Sequence, residues 1–416
     1  MGLERVLIVD DNDANILFFE MLLSGLGFSK ILKARTGPEG LEVAKKEHAQ
    51  FLVVTWEMTG LPGTIFIQRA RQSRKKRYLP AIIYSKRMTV EDVQLTKELG
   101  YKDILNVPFD KADARKLVTE MIERENNLSP IESQLRKVEG YLLEDKPSEA
   151  LKLMDNKILT STEQVSRVHT AMADIWFKMA KFDKAEEEIN AATKHDPAYN
   201  PALALKAKLF SRQGKHEEAI QILQGMISTS PRNFTNKISL GSAFIQADRD
   251  DDAKKVLAEV MELDGDNQEA KDALATVAFK EGDISLATQL IAETESGDDL
   301  ARVFNNLAIS QVNKGEFERS IDTYRNAMKL LADKAKVHLL HYNLGLAYKK
   351  KGDLINCFQE LCESYLLEPS FEKAYASLAN TSKELLAKGV TLDKDLVQKV
   401  KAARKRFQDS NSGDLL

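Results

Sequence analysis

Residues with chemical reach gather at the ends of short apolar runs in the first hundred positions. Val6 to Val9 leads into Asp10-Asp11, Ala81 to Tyr84 ends in Ser85, and a later run closes with Asn106-Val107-Pro108-Phe109. Adjacent carboxylates offer oxygen ligands, and a serine offers a hydroxyl donor and acceptor. Elsewhere the reactive types are sparse. Cys357 and Cys362 are the two cysteines, too few for a disulfide framework and in keeping with a reducing compartment. His48, His169, His195, His216, His338 and His341 show no ligand spacing with cysteines or carboxylates, so no metal site is expected from them. The basic run Arg69, Arg71, Arg74, Lys75, Lys76, Arg77 comes without an aromatic platform or recognition helix. It reads as a solvated face, and no nucleic-acid partner is expected.

Two kinds of element must position these groups. Up to residue 126, β-rich runs (Val6 to Val9, Ile31 to Lys33, Phe51 to Val54, Ala81 to Tyr84, Asp103 to Asn106) alternate with helical patterns at 14–26, 38–47, 64–74, 90–99 and 111–126. This alternation predicts a doubly wound α/β domain with a parallel sheet, whose sites lie at the carboxyl ends of the strands. Asn126-Asn127-Leu128-Ser129-Pro130 then breaks the pattern, which makes 127–130 the expected linker, short enough to hold its neighbours fairly rigidly. From 131 onward no strand pattern survives. Ala185, Ala219, Ala253 and Ala287 recur every 34 residues, and Pro197 and Pro231 keep the same interval. A fixed period of that length marks an all-α repeat array, an architecture that offers a long surface to partners.

With 416 residues, 43% hydrophobic and 30% charged, the chain has material for several globular domains, and its net charge of −3 sets up no field toward nucleic acid or an anionic membrane. The opening Met1-Gly2-Leu3-Glu4-Arg5 leads into an apolar run too short for a secretory signal, and no run is long enough to span a bilayer. A cytoplasmic protein without membrane contact is expected.

Residues 4–126 resemble the receiver domain of response regulators through Val9-Asp10-Asp11, Thr36-Gly37-Pro38-Glu39-Gly40-Leu41, Trp56-Glu57-Met58 and Pro108-Phe109. The resemblance implies Mg²⁺ held by Asp10 and Asp11, and phosphoryl oxygens held by Ser85. It also requires an acceptor aspartate three residues before Met58 and a lysine before Pro108, but Thr55 and Val107 stand there, and the aromatic switch position is Ile104. Thr55 cannot form an acyl phosphate or complete a Mg²⁺ shell, and Val107 cannot neutralise a phosphate. The domain is therefore expected to be a pseudo-receiver. A slip of two residues would offer Glu57 as acceptor at the expense of the Trp-x-Met register, and a kinase acting on Thr55 is a further alternative. Asp10 and Asp11 then read as solvated strand-end residues, with Asp11 or Asp13 capping the first helix, or as a retained Mg²⁺ site. No other cofactor is implied.

The 34-residue units resemble tetratricopeptide repeats. Six are clear from 166 to 371, and a degenerate one at 131–165 keeps Tyr141 and Ala150. Trp176, Phe182, Phe210, Phe244, Phe317 and Tyr348 fall at core positions, and so does Cys357, read as packing rather than redox chemistry. Helical stretches at 372–407 read as caps, and 408–416 as a disordered tail. The family lines its groove with the first helix of each unit. In the last units this points to Arg302, Asn305, Asn306, Tyr342, Asn343, Lys349 and Lys373 as residues that would grip a partner's extended backbone or carboxylate.

The expectation is a non-enzymatic signalling adaptor, with a pseudo-receiver at 1–126 and repeats at 131–371 that bind a protein segment. The receiver would dock or form a homodimer through its fourth helix, fifth strand and fifth helix. Two alternatives stand beside it: a phospho-regulated response regulator, and a phosphatase-like modulator of other two-component proteins.

Overall fold

The computed structural model describes residues 4–72, 79–159, 161–292, 297–331 and 337–412. The chain divides after Asn267 into two compact units.

The first unit opens with five parallel strands: β1 (Arg5–Val9), β2 (Lys30–Ala34), β3 (Phe51–Thr55), β4 (Ala81–Ser85) and β5 (Ile104–Asn106), in the order β2-β1-β3-β4-β5. The residues of β3 and β4 are all buried, as unbroken apolar runs covered on both faces require, whereas edge strand β2 buries only Ala34. Five helices alternate with the strands: α1 (Asp13–Ser24), α2 (Gly37–Lys46), α3 (Gly63–Gln72), α4 (Val90–Glu98) and α5 (Lys111–Asn126). Phe19, Leu23, Val118 and Met121 from α1 and α5 pack on Val6, Ile8, Val53 and Ile82 to form one core. Gly63 is required where α3 leaves β3, because a Cβ there would lie 2.4 Å from the Thr55 carbonyl oxygen.

Helix α6 (Pro130–Leu143) starts at the Ser129 cap, and Arg136 clamps the junction by reaching Glu125 of α5 at 2.7 Å and Glu132 at 2.5 Å. With α6 go α7 (Pro147–Leu153) and the short α8 (Asn156–Leu159). Then come the helix pairs α9 (Val165–Lys178) with α10 (Phe182–His195), α11 (Asn200–Arg212) with α12 (His216–Thr229), and α13 (Phe234–Gln246) with α14 (Asp250–Leu263). Ala185, Ala219 and Ala253, the small residues of the 34-residue ladder, have no exposed surface, which lets paired helices approach closely.

One turn device recurs through these pairs. The first helix ends on a left-handed residue: Asp145 (φ 56°), Ala180 (57°), Gly214 (77°) and Asp248 (57°). The next N–H then bonds back across the turn, Lys181 to the Trp176 carbonyl, Lys215 to Phe210 and Arg249 to Phe244, each at 2.9 Å. The side chains of these three cations lie over the same aromatic rings, at 5.0, 5.2 and 4.6 Å from the centroids. The 34-residue period therefore carries a paired cation and aromatic as well as the alanines.

The second unit contains α15 (Gln268–Glu281) with α16 (Ile284–Ala292), α17 (Gly297–Asn313) with α18 (Phe317–Leu331), α19 (His338–Lys351) with α20 (Leu354–Leu367), and α21 (Glu372–Ala387) with α22 (Lys394–Ser412). Its turns use Gly282, Gly315, Gly352 and Gly389, all at positive φ. Gly389 shows that the stretch expected as terminal caps is built like the other helix pairs. Helix α22 also runs to Ser412, into the segment expected to be disordered, because neither glycine nor proline interrupts the chain before Gly413. Cys357 and Cys362 are buried in this unit's core, and burial raises both thiols, Cys362 to about 12.

Candidate signalling site

The carboxyl ends of β1, β3 and β4 bring Asp10, Asp11, Thr55, Glu57 and Ser85 to one edge of the sheet. Asp10 is not a solvated strand-end residue: it is 1% exposed. Its Oδ1 accepts the Asn12 N–H at 2.8 Å, and its Oδ2 accepts the Asn15 amide at 2.8 Å and the Tyr84 hydroxyl. Burial, reinforced by the charge of Asp10, raises the Tyr84 phenol and keeps it a proton donor. The cap of α1 is Asn12, whose side chain accepts from Ala14 and Asn15 N–H, rather than Asp11 or Asp13. Asp11 is exposed and turns the other way, accepting the Thr59 hydroxyl at 2.7 Å and the Thr59 N–H at 3.0 Å, bonds that hold its carboxyl below the usual range.

Thr55 is buried, 6% exposed, at the end of β3. Glu57, two residues on, faces β4. Its Oε1 accepts the Ser85 hydroxyl at 2.5 Å and the N–H groups of Lys86 and Arg87 at 3.1 and 3.2 Å. Val107 is half-buried among apolar side chains beside Phe109, whose ring lies 5.2, 5.5 and 5.9 Å from those of Phe18, Phe19 and Tyr84. An aromatic cluster thus occupies the surroundings of the position where the resemblance requires a lysine.

The same domain meets the repeats of the first unit through α3 and α4. Arg69 forms a two-pronged pair with Asp264, with Nε to Oδ2 at 2.7 Å; the side chains are 19% and 1% exposed. Gln68 accepts the Phe234 N–H at 3.1 Å and donates to the Arg232 carbonyl at 3.2 Å. Arg232 binds Asp92, and Asn233 donates to Glu98 at 3.2 Å. One expectation is corrected here. Arg69 is no solvated charge, since it is spent on a buried carboxylate, and Arg71 donates to the Leu99 carbonyl; residues 74–77 of the run lie outside the described residues. On α4, part of the expected homodimer face, Glu91, Asp92 and Glu98 are engaged within the chain. Asp92 is buried, which alone would raise it, but the Thr89 hydrogen bonds and the Arg232 charge outweigh burial and hold it low.

In the second unit the Asn343 amide donates to Asn305 Oδ1 at 2.7 Å, which joins α19 to α17. Tyr342 meets Ser377 at 3.4 Å, Lys349 pairs with Glu384 at 3.8 Å, and Lys373 is exposed. Arg302 and Asn306 lie on α17, outside the described side chains. His169 and His341 each sit 2.7 Å from a glutamate, Glu188 and Glu360, and no cluster of three potential metal ligands occurs among the described residues.

Sequence reading missed Tyr84, Asn15 and Thr59 as partners of the two aspartates. Asn12, directly before a helical pattern, was a legible cap signal. It also missed Asp92, Arg232 and Asp264, for which no local signal exists, because their partners lie 140 and 195 residues away.

Residues 6–119 match the family model of the response regulator receiver domain, and residues 170–233 and 211–277 match models of the tetratricopeptide repeat. The chain therefore carries a response regulator receiver domain followed by tetratricopeptide repeats. Chemotaxis protein CheY-3 of Vibrio cholerae is 26% identical over 120 residues, which are 29% of this chain and 92% of that protein. The BBSome complex member BBS4 of Bos taurus is 23% identical over 48% of this chain and 38% of its own length. The solved APC/C hetero-tetramer Cut9-Hcn1 aligns at 18% identity over 65% of this chain and 52% of that one, with a TM-score of 0.42. No helix among the described residues is long and apolar enough to cross a membrane.

Proposed function

We propose that the chain is a two-component signalling adaptor whose receiver, residues 1–126, does not take a phosphoryl group, and whose repeats, residues 131–371, bind a protein partner. The observation that carries this reading is the filled edge of the sheet. Asp10 spends both oxygens on three donors, while Thr55 stands at the acceptor position and Val107 at the lysine position. Mg²⁺ does not fit Asp10, because the Asn15 amide and Tyr84 hydroxyl direct hydrogens at its Oδ2 and the Asn12 N–H directs one at its Oδ1. The receiver then serves as an anchor docked on the repeats of its own chain, in place of a homodimer. The linked Asn305 and Asn343 amides, with Tyr342, Lys349 and Lys373, support a peptide-gripping surface in the second unit.

Incubating the full chain with acetyl phosphate and Mg²⁺ and measuring intact mass tests the reading. No phosphoryl adduct is expected. A stable adduct on residues 1–126 would overturn it.

A further inference from the structure

We propose that Glu57 fills the donor nest at the end of β4 with the chain's own carboxylate, and that the filled nest holds α4 in place for docking on the repeats. The proposal rests on the adaptor reading and adds a cause for the docking.

Three donors converge on one oxygen of Glu57: the Ser85 hydroxyl at 2.5 Å and two successive backbone N–H groups, of Lys86 at 3.1 Å and Arg87 at 3.2 Å. The Lys86 N–H also lies 3.3 Å from the second oxygen, and Arg87 N–H lies 3.1 Å from Ser85 Oγ. Successive N–H groups pointing into one concavity attract an anion. Ser85 is 1% exposed and fixed by strand pairing with Asn106, so the nest belongs to the sheet. Glu57 is exposed, so apolar packing does not dictate where its carboxylate goes. The donors place it.

The nest continues into the docking contact over a few residues. Arg87 is followed by Met88 and Thr89, and Thr89 caps α4 in a reciprocal box with Asp92. Asp92 Oδ2 accepts from Thr89, at 2.9 Å from its N–H and 2.8 Å from its hydroxyl, which leaves Oδ1 for Arg232. Glu57 therefore acts as a positioning residue. It fixes the β4–α4 connection, the connection fixes the cap, and the cap aims the carboxylate that the repeats hold. An ion supplied from outside would do the same to an emptied nest.

Hydrogen exchange read by mass spectrometry on the full chain tests this with Glu57→Ala, Glu57→Gln and Arg232→Ala. The expected result for Glu57→Ala is exchange faster by about tenfold or more at 85–92 and also at 232–237, the size that follows from removing a charged acceptor. Millimolar inorganic phosphate should restore both segments in Glu57→Ala and leave the unaltered protein unchanged. Glu57→Gln, which keeps the shape and turns either an NH₂ or a neutral oxygen toward the donors, should loosen both segments less than alanine does. Arg232→Ala should open 232–237 while 85–87 stays protected. Faster exchange at 85–92 alone, or no restoration by phosphate, overturns the proposal. Either failure leaves the acetyl phosphate result untouched, so the two readings fail separately.

Discussion

Arg69 and Asp264 form a buried ion pair in the receiver's attachment to the repeats. Asp264 is almost wholly buried, and Asn267 donates to it at 3.0 Å, but the Arg69 guanidinium is its charged partner. Removing one side of such a pair strands a charge away from water, whereas replacing both sides with apolar groups does not. Arg69→Ala should therefore destabilise the first unit by about 3 kcal/mol, and Arg69→Met with Asp264→Leu should recover most of that loss. Urea denaturation of the full chain measures both. Equal losses in the single and double variants would show that the pair contributes only packing. At the site itself, the residue types mattered less than their hydrogen-bond polarity. Asn15, Tyr84 and Thr59 turn donors toward the two aspartates, so the carboxylates that look like ligands in the sequence serve as acceptors in the fold.

At the scale of elements, the repeats depend on how each first helix ends. The left-handed residue is glycine at Gly214, Gly282, Gly315, Gly352 and Gly389, but alanine at Ala180. An alanine Cβ in that region costs roughly 1–2 kcal/mol, and glycine avoids the cost while losing about 0.4–1 kcal/mol to unfolded-chain entropy. Ala180→Gly should thus stabilise the first unit by up to about 1 kcal/mol, seen as a higher urea midpoint with an unchanged slope. A lower midpoint would show that Ala180 makes contacts that outweigh the strain. The helices themselves were legible, because alanine spacing, aromatic positions and the prolines after α10 and α12 are local facts about the chain. The capping of α1 by Asn12 and the helical character of 408–412 were not read. The first turned on which of three adjacent polar residues sits half outside the helix. The second turned on a composition-based expectation that a polar end would fray.

For the whole first unit, the docking of receiver on repeats should be steady across neutral pH. Asp92 is held below its ordinary value, so its contribution is fully present above the unfolded carboxylate pKa of about 3.9 and is lost as pH falls through the lower, folded value. Exchange at 232–237, corrected for intrinsic rate, is therefore expected to stay constant between about pH 5 and 8 and to rise only in stronger acid. A step near pH 6 to 7 would point to a titrating histidine in the docking contact instead.

The sequence by itself determined the two architectures, because strand–helix alternation and a 34-residue period are local patterns that secondary structure must obey. It also determined that Thr55 and Val107 stand where the receiver resemblance calls for an aspartate and a lysine, since these are identities. Only the tertiary structure decided which contacts the residues around those positions make. Tyr84 and Asn15 reach Asp10, Glu57 reaches Ser85, and Arg69 and Asp92 reach residues more than a hundred positions away, because hydrogen-bond partners are chosen by distance in space. That choice turned Arg69 into an anchor, and the polar residues at the strand ends into a set of fixed internal contacts.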